Sequence, residues 1–185
     1  MPNRGVLVPP PRAARILEQR TRLLAARGAA AAPAEARLTV MACQLETEFY
    51  GLPLGAVAQV LPLMAWAPVP GALPAVLGLF SHAGQMFCLL DLAMALGRAA
   101  PQGEGGHVLL LRAAGPRRFA LRVERVAGAT EVTPLQDPGR PAERALTGHA
   151  LTPPELAGGR RALLGLVDSH RLLQPFMAPA LPSGA

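Results

Sequence analysis

The side chains able to do chemistry are few and far apart in this sequence. Histidines stand at 82, 107, 149 and 170, and none has a Cys, a carboxylate or a second His at the spacing a metal site uses. Ser169 and His170 are neighbours, whereas a nucleophile and its base must face one another across a site. Asp91 and Asp168 each close an apolar run and precede a short helical pattern. A catalytic carboxylate there would need a pocket and a raised pKa, while a helix cap needs only its position, so capping is the expectation. The glycines of "GEGGH" are followed by neither the Lys nor the helix of a phosphate loop. Cys43 and Cys88 sit inside apolar runs and read as buried reduced thiols. No catalytic set, metal site or cofactor site is expected. A small hydrolase built on His149 or His170 is the enzymatic alternative.

The elements that would carry these residues are short. Residues 1–11 are Pro-rich, and Arg12–Arg27 has a helical period, with Ala13, Ile16, Leu17, Leu23 and Leu24 on one face. A lone helix of this length is marginal in water, so it must dock on this chain or another. "GAAAAPAEA", residues 28–36, reads as a helix stop and linker. From Leu38 the period becomes two. "LTVMACQL" and "EFYGLPL" flank a polar turn, and "GAVAQVLPLMAWAPVPG" is interrupted by prolines that restrict any strand to a short or edge one. "VLGLFSH" and "QMFCLLD" form a hairpin with Gly84 near its tip. "HVLLLRA" and "RRFALRVERV" form another. "AGATEVTPL", "ALTGHAL" and "RRALLGLVD" are further extended pieces, "QDPGRPAER" is a polar turn, and "SHRLLQPF" is a closing helical turn limited by Pro175. This makes nine or ten short strands with two or three short helices, a mainly all-β class. The domain reading is an extension over 1–37 with the amphipathic helix 12–27, a β body over 38–178, and a disordered tail over 179–185.

Composition bounds the function. All 18 basic residues are Arg, and the net charge of +6 is uneven. Residues 1–37 hold seven Arg against Glu18 and Glu35, whereas the remainder is nearly balanced, so nucleic-acid binding is not expected. The N-terminus has no signal-peptide core, and no apolar run reaches the length of about 20 residues that spans a bilayer. A cytoplasmic location without membrane insertion follows. A neutral β body rich in aliphatic residues most often works by binding other proteins.

The order of these segments resembles the CheW-like family, the adaptors that couple chemoreceptors to the histidine kinase CheA. "EFYGLPLGAVAQVL" is similar to the family's opening strand pair and valine-rich segment. "PVPGALPAVLGLFSHAGQMFCLLDLAMALG" resembles its most recognisable stretch, a Pro-containing loop followed by hGhhNhRGphhPhhDL, where h is apolar and p polar. "HVLLLRAAGPRRFALRVERVAGATEV" and "ALTGHALTPPELAGGRRALLGLVDSHRLL" resemble the next hairpin and the closing strands, the likeness covering residues 38–176.

The resemblance implies two small five-stranded SH3-like barrels, with the chain crossing between them, and neither cofactor nor catalysis. It implies a CheA-type kinase, a chemoreceptor cytoplasmic tip and other CheW-like domains as partners. The binding positions it carries over are Val57, Gln59, Gly78, Ala83 and Val108. Two of these depart from the pattern. Ala83 stands where the family has Arg, and Gln59 where it has Glu; Glu124 also replaces the usual Asp. The family's Glu and Arg are close and opposite in charge, so losing both together avoids stranding one, which costs about 3–5 kcal/mol when buried. The expected function is a chemosensory scaffold in a divergent or alternative pathway. The second reading is a CheW-fold adaptor dedicated to another signalling partner through its N-terminal helix.

Overall fold

The computed structural model describes residues 37–100, 103, 105–112, 116–135 and 145–177. The expected helix 12–27 and its linker, the "QDPGRPAER" turn and the tail 179–185 lie outside these residues. The described strands are β1 Leu38–Leu45, β2 Glu48–Pro53, β3 Val57–Pro62, β4 Val76–His82, β5 Gln85–Asp91, β6 His107–Leu111, β7 Phe119–Val123, β8 Arg125–Val132, β9 Leu146–Leu151 and β10 Leu163–Val167. Two α-helices accompany them, α1 Leu92–Ala95 and α2 Ser169–Met177, with 3-10 turns at Leu54–Ala56 and Pro154–Ala157.

The strands form two five-stranded sheets, ordered β8-β1-β2-β10-β9 and β3-β6-β7-β5-β4. Each sheet closes on itself through the continuation of one edge strand. Ala67, beyond β3, exchanges both backbone hydrogen bonds with Leu79 of β4 at 2.8 Å. Pro134, beyond β8, bridges Ala150 of β9, and the Leu135 N–H donates to the His149 carbonyl at 2.7 Å. Closure leaves each barrel few free strand edges.

The two barrels are built by one plan used twice. Replacing every strand by its counterpart five places along the chain turns one sheet order into the other. The parallel pairs β2/β10 and β5/β7 interchange under this operation, as do the bulges at Ala42/Cys43 and Val57/Gln59 and those at Leu166/Val167 and Val76/Gly78. Each half of the chain therefore gives its first hairpin to one barrel and its last three strands to the other. Each half also ends in a capped helix. Asp91 Oδ1 accepts the Met94 N–H at 3.0 Å, and Asp168 Oδ1 accepts those of His170 and Arg171 at 2.9 and 3.1 Å.

This exchange explains why the strands read as continuous apolar runs. Val40, Ala42, Phe49, Leu164 and Leu166 fill the first barrel, and Phe80, Phe87, Leu89, Val108 and Leu110 fill the second. Their strand neighbours, among them Cys43, Leu45, Leu90, Leu109, Leu121 and Val167, meet in a third cluster shared by both barrels and the helices. Strands buried on both faces lose the apolar–polar alternation of a half-exposed sheet. One expectation is corrected: Pro175 does not limit the last helix, which continues to Met177. Pro175 lies in the final turn, where the carbonyl it leaves unbonded belongs to the exposed Arg171 and can be solvated.

Candidate functional site

The strand register gathers one set of residues at a single end of the second barrel. Val57 of β3 pairs with Leu111 of β6, and Cys88 of β5 pairs with Phe119 of β7. Ser81 and Met86 pair just before the β4–β5 turn. The start of β3, the β4–β5 tip and the β6–β7 turn thus share this end.

The tip is a two-residue turn made by Ala83 at φ +49° and Gly84 at φ +73°. Two successive left-handed residues are the geometry of a type I′ hairpin turn, which Gly adopts freely and Ala only with strain. Ala83 and Gln59 are both exposed and both at this end. Val57 is there too, but its side chain is buried in the shared core. Gly78 and Val108 lie toward the opposite end and are buried. Gly78 has φ +156° at a bulge, where a Cβ would collide with the Ala67 carbonyl and come within 2.9 Å of the Trp66 indole. Of the five expected binding positions, the structure places two side chains at a surface. The other three are buried, Val57 at this end and Gly78 and Val108 toward the other.

The outer face beside the tip is apolar. Leu79 pairs with Cys88 and Ser81 with Met86, and Met86 is 57% exposed. The first barrel carries a counterpart, in which His149 pairs with Gly165 and Leu151 with Leu163 while Leu135 lies beside His149. Leu135, Leu151 and Leu163 are all exposed. The repeated plan thus presents two quasi-equivalent apolar faces, one on each barrel. Sequence reasoning found neither, because alternation along one strand does not say which strands lie side by side.

Polar groups pin the elements that carry these faces. Arg122 and Asp91, in register on β7 and β5, form a buried ion pair at 3.0 Å. Arg122 also donates to the carbonyls of Gly103 and Gly105, the latter at 2.8 Å. The Glu124 carboxylate, at the crossing from β7 to β8, accepts the Glu46 N–H at 2.7 Å and so ties that crossing to the β1–β2 turn. Tyr50 donates to Glu48 at 2.7 Å and accepts from Arg98 at 3.1 Å. Burial, followed by the hydrogen bond to Glu48, pushes the Tyr50 hydroxyl above its usual range.

One pocket of about 200 Å³ holds His149 with Thr47, Glu48, Tyr50 and Arg98, and no serine or cysteine is among the described residues that line it. A more apolar groove of about 490 Å³ runs along α1, α2 and Leu73–Ala75, and among the described residues lining it Arg171 is the one ionisable side chain. His170 is exposed on the first turn of α2. Among the described residues no three His, Cys, Asp or Glu side chains come together as a metal site. Burial drives the Cys43 thiol up to about 12, and it raises half-buried Cys88 less simply, because Arg117 pulls the other way.

Comparison with known proteins places this architecture. The family model for the CheW-like domain matches residues 39–174, both barrels and most of α2. The chain belongs to the CheW-like family. The scaffolding protein TtCheW from Thermoanaerobacter tengcongensis has a similar fold, with a TM-score of 0.60 at 16% identity over 75% of this chain and 94% of that one. No curated protein sequence matches at a significant level. Membership makes the chain, in general terms, an adaptor of chemotaxis signalling. Among the described residues no helix is long and apolar enough to cross a membrane. Gln59 and Ala83, the two positions at which a carboxylate and a guanidinium were expected, both lie at one end of the second barrel.

Proposed function

We propose that this chain is a non-catalytic cytoplasmic scaffold that couples chemoreceptors to a CheA-type histidine kinase, in a divergent or alternative chemosensory pathway. The reading rests chiefly on the family match across residues 39–174. The two quasi-equivalent apolar faces support it. A scaffold must hold two partners at once, and exposed apolar patches rimmed by polar groups are characteristic of protein interfaces. On this reading the kinase's own CheW-like domain engages a barrel end, and a receptor tip lies elsewhere on the body. Val57, Gly78 and Val108 act by shaping the surface, while Gln59 and Ala83 contact the partner.

Titration calorimetry against the isolated CheW-like domain of a CheA-type kinase tests the kinase half of the proposal. Saturable binding that Leu79→Ser/Met86→Ser weakens is the expected result; no binding to that domain or to a receptor tip would overturn it. The divergence has its own test. Gln59→Glu combined with Ala83→Arg should shift partner preference toward the partners of ordinary family members, and unchanged preference would remove that part of the reading.

A further inference from the structure

The loop that joins β3 to β4 is apolar and yet faces solvent. Every residue from Ala65 to Gly71 is exposed, and so are Leu73 and Pro74. Trp66, Val69 and Leu73 are its large side chains, and Trp66 is the single tryptophan of the sequence. No Asp, Glu, Arg or Lys occurs from Phe49 to Leu90, so the loop and the strands it joins hold no carboxylate or guanidinium. Backbone bonds fix the loop. Ala67 is bonded twice to Leu79, the Ala72 N–H donates to the Val69 carbonyl at 3.3 Å, and the Val76 N–H donates to that of Leu73 at 2.8 Å. The Trp66 indole rests against the Gly78 backbone. Pro68, Pro70 and Pro74 restrict three further φ angles. A loop set in advance loses little freedom when it is covered, and tryptophan is among the residues that most often carry interface energy.

We infer that this loop pairs with the same loop of a second copy of the chain, in a two-fold symmetric dimer. Such a contact sets a patch against itself, so a charged patch meets its own sign. A loop without charged side chains meets no such repulsion. Trp66, Val69 and Leu73 supply the apolar area. The prolines lack backbone donors, which suits the loop poorly to adding a strand to a neighbouring sheet, so the contact rests on side chains and closes at two copies. A second copy fits better than a membrane, because no Arg or Lys in the stretch draws anionic headgroups. It also fits better than a partner selected by charge, since the loop has no charged group with which to select one. None of the three side chains belongs to either apolar barrel face, so the inference goes beyond the adaptor reading. The dimer carries two copies of the first-barrel face and gains avidity toward clustered partners.

The test needs only the full chain, without kinase or receptor, so its failure and that of the coupling role are distinguishable. Sedimentation equilibrium would be run from about 1 μM to 1 mM, the range expected of a contact smaller than a standard interface. Trp66 emission would be followed over the same range. A monomer–dimer equilibrium insensitive to salt is expected, with the emission moving to the blue as the dimer forms. Val69→Asp/Leu73→Asp should weaken it about tenfold or more by setting like charges against each other. Val69→Arg/Leu73→Arg should do the same, and mixing the two variants should restore a dimer. These positions are exposed, and melting curves would establish that both variants remain folded. A monomer throughout, an assembly larger than two, a dimer indifferent to the substitutions, or a mixture that stays monomeric would each overturn the inference. So would a blue shift on phosphatidylcholine vesicles in a chain that stays monomeric.

Discussion

Arg122 and Asp91 stand in register on parallel neighbours β7 and β5, paired at 3.0 Å with side chains 5% and 2% exposed. The same carboxylate caps α1 through Met94, and the same guanidinium holds the carbonyls of Gly103 and Gly105. One ion pair therefore joins a hairpin from the first half, a hairpin from the second half, and the connection between them. A buried pair gains little over an apolar one, but losing a single partner is costly. Arg122→Met is expected to destabilise the protein by about 3–5 kcal/mol in chemical denaturation. The double variant Asp91→Asn/Arg122→Met should cost clearly less than the sum of the singles; additive losses would show that the pair is not coupled.

Gly78 and Gln59 should separate structural from contact roles among the expected binding positions. Gly78→Ala places a Cβ against the Ala67 carbonyl that closes the barrel, at a φ unfavourable to any side chain. Its thermal stability should fall by about 2–4 kcal/mol, with binding lost as a consequence. Gln59→Ala, on an exposed position, should change stability by no more than about 0.5 kcal/mol. A Gly78→Ala protein as stable as the parent would contradict the closure described here.

Ala83 is expected to be a suboptimal residue for its own turn. Its left-handed backbone carries a Cβ penalty that Asn tolerates better, and Asn-Gly is favoured in type I′ turns. Ala83→Asn should raise stability by about 0.5–1 kcal/mol, and Ala83→Val should lower it. The midpoint of urea unfolding reads both signs.

Stability should fall in alkali. The unfolded Cys43 thiol ionises from its ordinary value of 9.0 upward, whereas in the fold burial keeps it protonated to about 12. The contribution is complete below 9.0 and is lost as pH rises toward 12, at about 1.4 kcal/mol per pH unit. The raised Tyr50 hydroxyl acts in the same direction. Denaturation across this range should show a slope that Cys43→Ala reduces, and an unchanged slope would contradict the assignment to Cys43.

The strands and their hairpins were legible because local pattern encodes them: the β4–β5 hairpin, the Asp91 and Asp168 caps and the edge position of β3 can all be read along the chain. Non-local pairing was not. Nothing along "FALRVERV" marks Arg122 as buried, and its partner is known only once β5 and β7 are seen to run parallel. The doubled plan was equally hidden. The halves share strand order, bulge positions and a closing Asp, yet few side chains, since small aliphatic residues fill both cores in different combinations. Family likeness supplied Val57, Gly78 and Val108 as binding positions. The side chains of Val57 and Val108 are buried, and Gly78 is buried as backbone.

The coupling role is tested most directly by reconstitution. Vesicles carrying a receptor cytoplasmic fragment, a CheA-type kinase and ATP would be assayed for co-sedimentation and autophosphorylation with and without this protein. The account predicts that CheA sediments with the receptor and changes its activity only when the protein is added, and that Leu79→Ser/Met86→Ser reduces both effects. Kinase sedimentation and activity indifferent to the protein would contradict it.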